Sequence, residues 1–281
     1  AVEPLNFSVP ADDAIMHPAA DELAGFASLV CQLDTGHASR IKAYCSANKI
    51  SLPLYFQSLY SVLIREYCRA DADFVVRHTI TERNTSNANA FGSYDRLLPV
   101  VFAQTLFDAS TLLSEFFASN ENYINEIRRK SQISLMQQKF LTDAANPGFI
   151  FNFRGTDNFA HNNIAFAGEP LTPVFLGPVA IDGQVQLIVE PAHDTLRLQL
   201  HFPAAAFNDL RLLERLAQLS QQVLNGAQCI GDLSLLLPDE KAQLSQWSSA
   251  TPLYAVQPVH RQFEQMAGQY AERTAIVCNG V

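Results

Sequence analysis

Hydrophobic positions along this chain switch between two periods, and the switches predict strands and helices in mixed order. The run Phe26 to Leu33 reads as a strand. Asp34 or Thr35 can cap a following helix whose apolar face is Ala38, Ile41 and Cys45. Ser51-Leu52-Pro53 opens a second helix, proline being tolerated in a first turn. Through Leu59, Leu63 and Tyr67 that helix is apolar almost all round, which predicts a central, buried position. Phe74 to Thr81 is β-rich, and Leu97 to Phe102 reads as strand again across the polar connection 82–96. A long helical region is expected from Ala109 to about Leu141, broken by Asn146-Pro147-Gly148.

The second half alternates with a period of two. Phe149, Phe151 and Phe153 are interleaved with Ile150, Asn152 and Arg154, so Asn152 and Arg154 share one strand face. Gln184 to Glu190 and Thr195 to Phe202 form a hairpin pattern around Pro191-Ala192-His193-Asp194. In its second strand Leu196, Leu198, Leu200 and Phe202 point one way, and Arg197, Gln199 and His201 the other. An amphipathic helix follows, with Phe207, Leu210, Leu213, Leu216 and Val223 on its buried side and Gly226 at its C-terminal cap. Residues 227–257 look like an inter-domain linker carrying a small helix from Asp239 to Trp247. A fresh helix from Val259 to Tyr270 and the strand-like run from Thr274 to Cys278 belong to whatever comes next. Residues 1–25, broken by Pro4, Pro10 and Pro18, read as irregular lead-in. The absence of a starting methionine and the lone closing strand lead to the expectation that both ends are cut from a longer polypeptide.

Composition narrows the classes. Apolar residues make up 48% of the chain, enough for a substantial core. The net charge of −9 and the lack of a long basic run argue against nucleic acid as a partner. The one basic cluster, Arg128-Arg129-Lys130, falls at a helix end, where it complements the dipole. Five scattered cysteines, none in a C-x-x-C pair, argue against a disulfide framework or a zinc site and suit a reducing, cytoplasmic compartment. No stretch is long and apolar enough to span a bilayer, so no membrane partner is expected.

Chemistry-bearing residues are sparse. None of the seven histidines stands beside another, and no H-E-x-x-H, nucleophile elbow, P-loop or G-x-G-x-x-G occurs. His201 is the best single candidate, because it shares a polar strand face with Gln199 and Arg197. From the residues alone the chain is a mixed α/β domain without a catalytic constellation.

Several strings nevertheless resemble one family. Residues 29–83 are similar to the helix–helix–strand entry of the C-terminal half of a nonribosomal peptide synthetase condensation domain, ending in Thr79-Ile80-Thr81-Glu82-Arg83-Asn84. Tyr94-Asp95-Arg96-Leu97-Leu98-Pro99-Val100 resembles the family's N-x-L-P-V/L-R segment, departing from it at Asp95 and Arg96. Phe149 to Arg154 (FIFNFR) resembles its V-x-N-x-K strand, and the hairpin at 184–202 with the next helix its closing elements. Leu233 to Glu240 with Trp247 resembles the linker into an adenylation domain, and Pro258 to Ala267 with Thr274 to Val277 that domain's opening helix and strand. The signature H-H-x-x-x-D-G occurs nowhere in the chain.

The resemblance implies an α/β, two-layer lobe of the chloramphenicol-acetyltransferase type, a mixed sheet covered by helices. Its domains would be a lead-in or inter-lobe segment (1–26), the C-terminal lobe (27–226), a linker (227–257) and the start of an adenylation domain (258–281). The complete enzyme would join a carrier-bound acyl or peptidyl thioester to an amine on a second carrier, or to a free amine. The catalytic histidine would lie in the N-terminal lobe, leaving no catalytic residue here and the fragment alone inactive. Arg83 matches an arginine that pairs with the motif's aspartate across the lobes. Asn152 and Arg154, with His201, would face the substrate tunnel. No cofactor would be bound directly; the substrates would ride on phosphopantetheine arms of carrier proteins. The partners implied are those carriers, the N-terminal lobe and the adenylation domain. A heterocyclisation domain half and a non-catalytic module that recruits a carrier or another enzyme are alternatives.

Overall fold

In the computed structural model the described residues are 26–68, 72–81, 86, 95–130, 148–155, 165–166, 169–170, 185–192, 194–203, 211–248 and 258–274. They fall into two units, the first ending at Leu237 and the second beginning at Pro238.

The first unit is built on a six-stranded sheet. Its strands are β1 (Phe26–Leu33), β2 (Phe74–Thr81), β3 (Asp95–Phe102), β4 (Phe149–Phe153), β7 (Val185–Ala192) and β8 (Thr195–Pro203); two short strands, β5 (Ala165–Phe166) and β6 (Glu169–Pro170), pair with each other. The order is β1-β8-β7-β4-β2-β3. β2, β4 and β7 run parallel at the centre, and antiparallel partners close both sides. Mixed sheets of this kind need helical crossovers on a face. The helices are α1 (Thr35–Asn48), α2 (Leu52–Cys68), α3 (Leu113–Lys130) and α4 (Leu212–Leu224).

Local chemistry sets their ends. Asp34 is the N-cap of α1, its Oδ1 accepting from the His37 backbone N–H at 2.8 Å. The helix stops where Lys49 takes a left-handed φ of 56° and its N–H turns back to Cys45 and Ser46. Gly226, at φ 101°, ends α4 in a comparable way just beyond Asn225. α2 is the central helix: every residue from Leu54 to Ile64 is buried. Tyr60 lies against Phe149 and Phe151, and Tyr55 stacks on Phe117 of α3. On the sheet, Phe74, Val76, Phe151, Leu187, Leu198, Leu200 and Phe202 complete this core. Each such side chain contributes about 1.5–3 kcal/mol by leaving water.

The structure departs from the sequence expectation at Ala109. The helix starts at Leu113, after a short 3-10 turn, Gln104–Phe107. Asp108 captures the N–H and hydroxyl of Ser110 at 2.8 and 2.6 Å, which holds the chain in a turn. The Ala109 and Thr111 carbonyls are then claimed by the N–H groups of Gly231 and Ile230, both at 2.9 Å. The expected helix end near Leu141 lies outside the described residues, as do Phe207 and Leu210 of the expected apolar face; α4 itself begins at Leu212.

Those contacts also bear on residues 227–257. The segment Ala227–Leu237 is fastened along α4: Ser234 exchanges bonds with Gln222, Gln218 Nε2 donates to the Ser234 and Leu236 carbonyls, and Arg215 Nη1 donates to that of Leu235. Ile230 and Leu237 are buried within the first unit.

The second unit contains α5 (Pro238–Ser248) and α6 (Val259–Gln269). Asp239 and Glu240 occupy the first turn of α5, where the helix dipole favours them. α6 is amphipathic, and its apolar stripe of Val259, Phe263 and Met266 is exposed. The terminal strand-like run falls outside the described residues.

Candidate functional site

The sheet has a second face, opposite the helices, and the sequence's polar strand positions gather there. The register defines its rows. One row reads Ser28, His201, Gln186, Ile150, Arg77 and, across β3, Pro99. The next reads Val30, Gln199, Ile188, Asn152, Thr79 and Leu97. A third places Gln32, Arg197 and Glu190 side by side, and Arg154 extends it, because its N–H continues the ladder to the Val189 carbonyl at 2.9 Å.

Asn152 and Arg154, on one strand, and His201, on another, therefore share one side of the molecule. All three are half-buried. The centre of this face is dry: Ile150 is 0% exposed, Ile188 3% and Glu190 7%. His201 Nε2 lies 3.4 Å from Gln199 Oε1. Burial lowers the His201 pKa, and the charges of Arg154 and Arg197 lower it further, so the ring is held neutral. Burial also lowers the pKa of Arg77. Arg83 lies outside the described residues.

Sequence reasoning missed Glu190 and Arg77 as members of this face. The signal was present for Glu190, since Gln186, Ile188 and Glu190 alternate outward in the same strand pattern. What was missing was the parallel β4–β7 pairing, which only the fold supplies.

The arrangement offers amide donors and acceptors (Asn152, Gln186, Gln199), three guanidinium groups and one neutral imidazole. Among the described residues it holds no nucleophile–base pair. Among the described residues no group of three His, Cys, Asp or Glu could hold a metal ion. Cys31, Cys45 and Cys229 are free thiols, and burial pushes Cys45 up to about 12, an unreactive value at neutral pH. No helix among the described residues is long and apolar enough to cross a membrane.

No family model matches the sequence, and no curated protein does. Solved structures do match by shape. The X-domain from teicoplanin biosynthesis is 20% identical, with a TM-score of 0.61 over 74% of this chain and 49% of that one. The condensation domain of the Monacolin K polyketide synthase MokA is 16% identical, with a TM-score of 0.59 over 82% of this chain and 55% of that one. The fold is condensation-domain-like. The nonribosomal peptide synthetase FmoA3 shows the same likeness at 13% identity, its TM-score 0.67 over 91% of this chain and 28% of that one. The chain spans about half the length of the X-domain and MokA structures it matches.

Proposed function

We propose that this chain is the C-terminal lobe of a condensation domain in a peptide synthetase, and that its polar sheet face forms one wall of the channel where an acyl thioester meets an amine. The observation that carries the reading is a condensation-domain-like sheet that gathers Asn152, Arg154 and His201 on the face opposite the described helices. Both substrates would arrive on phosphopantetheine arms of carrier proteins, and the reactive histidine would come from the N-terminal lobe. The work of this lobe is then positioning: tethered reactants held in register gain effective molarity. Asn152 offers an amide to a substrate carbonyl or a water, and Arg154 places positive charge near a developing oxyanion. Arg83 ties the lobes together by pairing with the partner lobe's aspartate. The residues from Pro238 onward would lead into an adenylation domain. Because the lobe supplies no histidine pair, the chain by itself forms no amide.

The test is reconstitution. The chain is combined with an N-terminal lobe bearing H-H-x-x-x-D-G, in one polypeptide, and supplied with loaded donor and acceptor carriers. Conversion of thioester to amide, monitored by mass spectrometry of the carriers, is the expected outcome. Asn152→Ala should slow it by about 10–100-fold with carrier binding unchanged. Carrier binding without transfer in the two-lobed protein would sink the reading.

A second reading has its own support: the X-domain match is the higher in identity, at 20%, and that domain has been solved in complex with OxyB. A lobe used only to recruit another enzyme would give the binding-without-transfer result.

A further inference from the structure

On the other side of the sheet, three helices meet in a chain of hydrogen bonds that the proposed function does not use. His37 stands on the first turn of α1, Tyr55 on α2 and Ser220 on α4. His37 Nε2 lies 3.2 Å from Ser220 Oγ, and the Tyr55 hydroxyl lies 2.9 Å from the same oxygen. The Tyr55 hydroxyl also reaches the Ser220 backbone carbonyl, at 3.3 Å. Ser220 is 183 residues from His37 and 165 from Tyr55, so only the fold brings the three together. A serine beside a histidine resembles a nucleophile with its base, but Ser220 is 0% exposed and no substrate reaches its oxygen. Tyr55 is equally enclosed, and the half-buried His37 ring is the member of the chain that meets solvent.

The Ser220 hydroxyl has one proton to give, and this sets the order of the chain. Tyr55 donates over its shorter contact, to Ser220 Oγ, which leaves the Ser220 proton for Nε2 of a neutral His37. When His37 takes up a second proton, Nε2 becomes a donor and claims Ser220 Oγ. The Ser220 proton then turns to the carbonyl one helical turn back, a bond open to any serine within a helix. The Tyr55 proton moves to the Ser220 carbonyl, already in reach. Every group is satisfied in both states, so rotation of two hydroxyls accomplishes the change. The surroundings add few charges. Asp34 and Arg40, both on α1, act on the ring, and Arg40 is held by the Leu224 carbonyl and Asn225 Oδ1 at the end of α4. Of the other elements packed on α1, α2 presents Tyr55, α4 presents Ser220, and β8 turns Leu196 and Leu198 to the helices. Burial lowers the His37 pKa, Asp34 raises it and Arg40 lowers it, so the ring is neutral at pH 7.

We propose that His37, Ser220 and Tyr55 form a reversible proton relay: protonation of His37 at the surface reverses the hydrogen bonds through Ser220 and re-aims the Tyr55 hydroxyl inside the core. Tyr55 stacks on Phe117 of α3 and meets Tyr44 and Phe56 edge-on, so the change is passed to the helices around it. The relay is a pH-sensitive device of the helical layer and stands independently of the function proposed above.

The test is an NMR titration of the full chain across the imidazole range, about pH 5 to 8. The His37 ring is assigned by its loss in His37→Gln and the Tyr55 ring by its loss in Tyr55→Phe. In the native chain the Tyr55 ring resonances should shift with the His37 midpoint, and in His37→Gln they should stay still. Ser220→Ala keeps the backbone carbonyl that Tyr55 can use, so His37 should titrate there while Tyr55 no longer follows. In Tyr55→Phe, Ser220 loses the donor that strengthens its bond to neutral His37, and the His37 midpoint should rise by about 0.3 pH unit or more. A Tyr55 side chain that only fills space between helices would leave that midpoint in place. The proposal is overturned by a Tyr55 ring that is silent through the His37 titration, by one that still follows it in Ser220→Ala, or by an unmoved midpoint in Tyr55→Phe. The native chain and His37→Gln, altered only at a half-buried position, decide the matter by themselves if either core variant fails to fold.

Discussion

His78 shows how strongly one buried side chain can make folding depend on pH. It sits on β2 with its ring edge-on to Phe151, centroids 5.1 Å apart, and its Nδ1 is buried without a hydrogen-bond partner. Burial, with a smaller contribution from Arg128, pushes its pKa down to about 3. In the unfolded chain the same group titrates near 6.5. As pH falls below that value the unfolded state takes up a proton that the native state refuses, so native stability drops until about pH 3. The slope is at most about 1.4 kcal/mol per pH unit. Between pH 7 and pH 5 the native protein should lose about 2 kcal/mol more stability than a His78→Phe variant. Urea denaturation of both proteins at the two pH values measures this, and parallel losses would refute it.

At the scale of elements, the informative feature is the close approach of residues 227–237 to the start of α3. Gly231 donates to the Ala109 carbonyl at 2.9 Å, and a Cβ placed on Gly231 would meet that oxygen at 2.8 Å and the Ala109 Cβ at 3.0 Å. Gly231→Ala should therefore cost about 1–3 kcal/mol, read from the denaturation midpoint of the intact chain. A loose linker would tolerate alanine within about 0.5 kcal/mol.

The same junction marks where sequence reading stops. Asp34 was legible as a cap, because its oxygen meets an N–H three residues on. The β8 alternation was legible, because Leu196 to Phe202 repeat every second residue. The pairing of Ala109–Leu112 with Gln228–Gly231 joins segments more than a hundred residues apart and leaves no local period. Gln57 was hidden too: it is 1% exposed, with neither amide atom partnered, inside a helix that the pattern reads only as apolar. The site was half legible in the same sense. Asn152 with Arg154, and His201 with Arg197, each followed from alternation within a strand. That the two pairs share one face follows from the parallel register of β4 on β7.

For the whole molecule, the reading as one lobe of two makes the junction between lobes the weak point. Arg83, if it pairs with an aspartate of the partner lobe, becomes a buried cation when that partner is present. In the two-lobed protein Arg83→Ala should lower unfolding stability by about 3–5 kcal/mol, since it strands a buried carboxylate. In this chain alone the same change should cost under about 0.5 kcal/mol. Calorimetry on both pairs of proteins separates the outcomes, and equal effects would remove the inter-lobe role.

The strand order carries one more consequence, for the moment of synthesis. β2–β3 and β7–β8 are hairpins that can form as soon as they leave the ribosome, but among the described residues β1 pairs only with β8. Gln32 and Thr195, hydrogen-bonded at 3.1 Å, stand 163 residues apart. At translation rates of about 5–20 residues per second, the first strand waits roughly 8–30 s for its neighbour. Throughout that interval the edge it will offer to β8 stays unpaired on an uncharged β-segment, the kind of stretch that nascent-chain chaperones exist to shield.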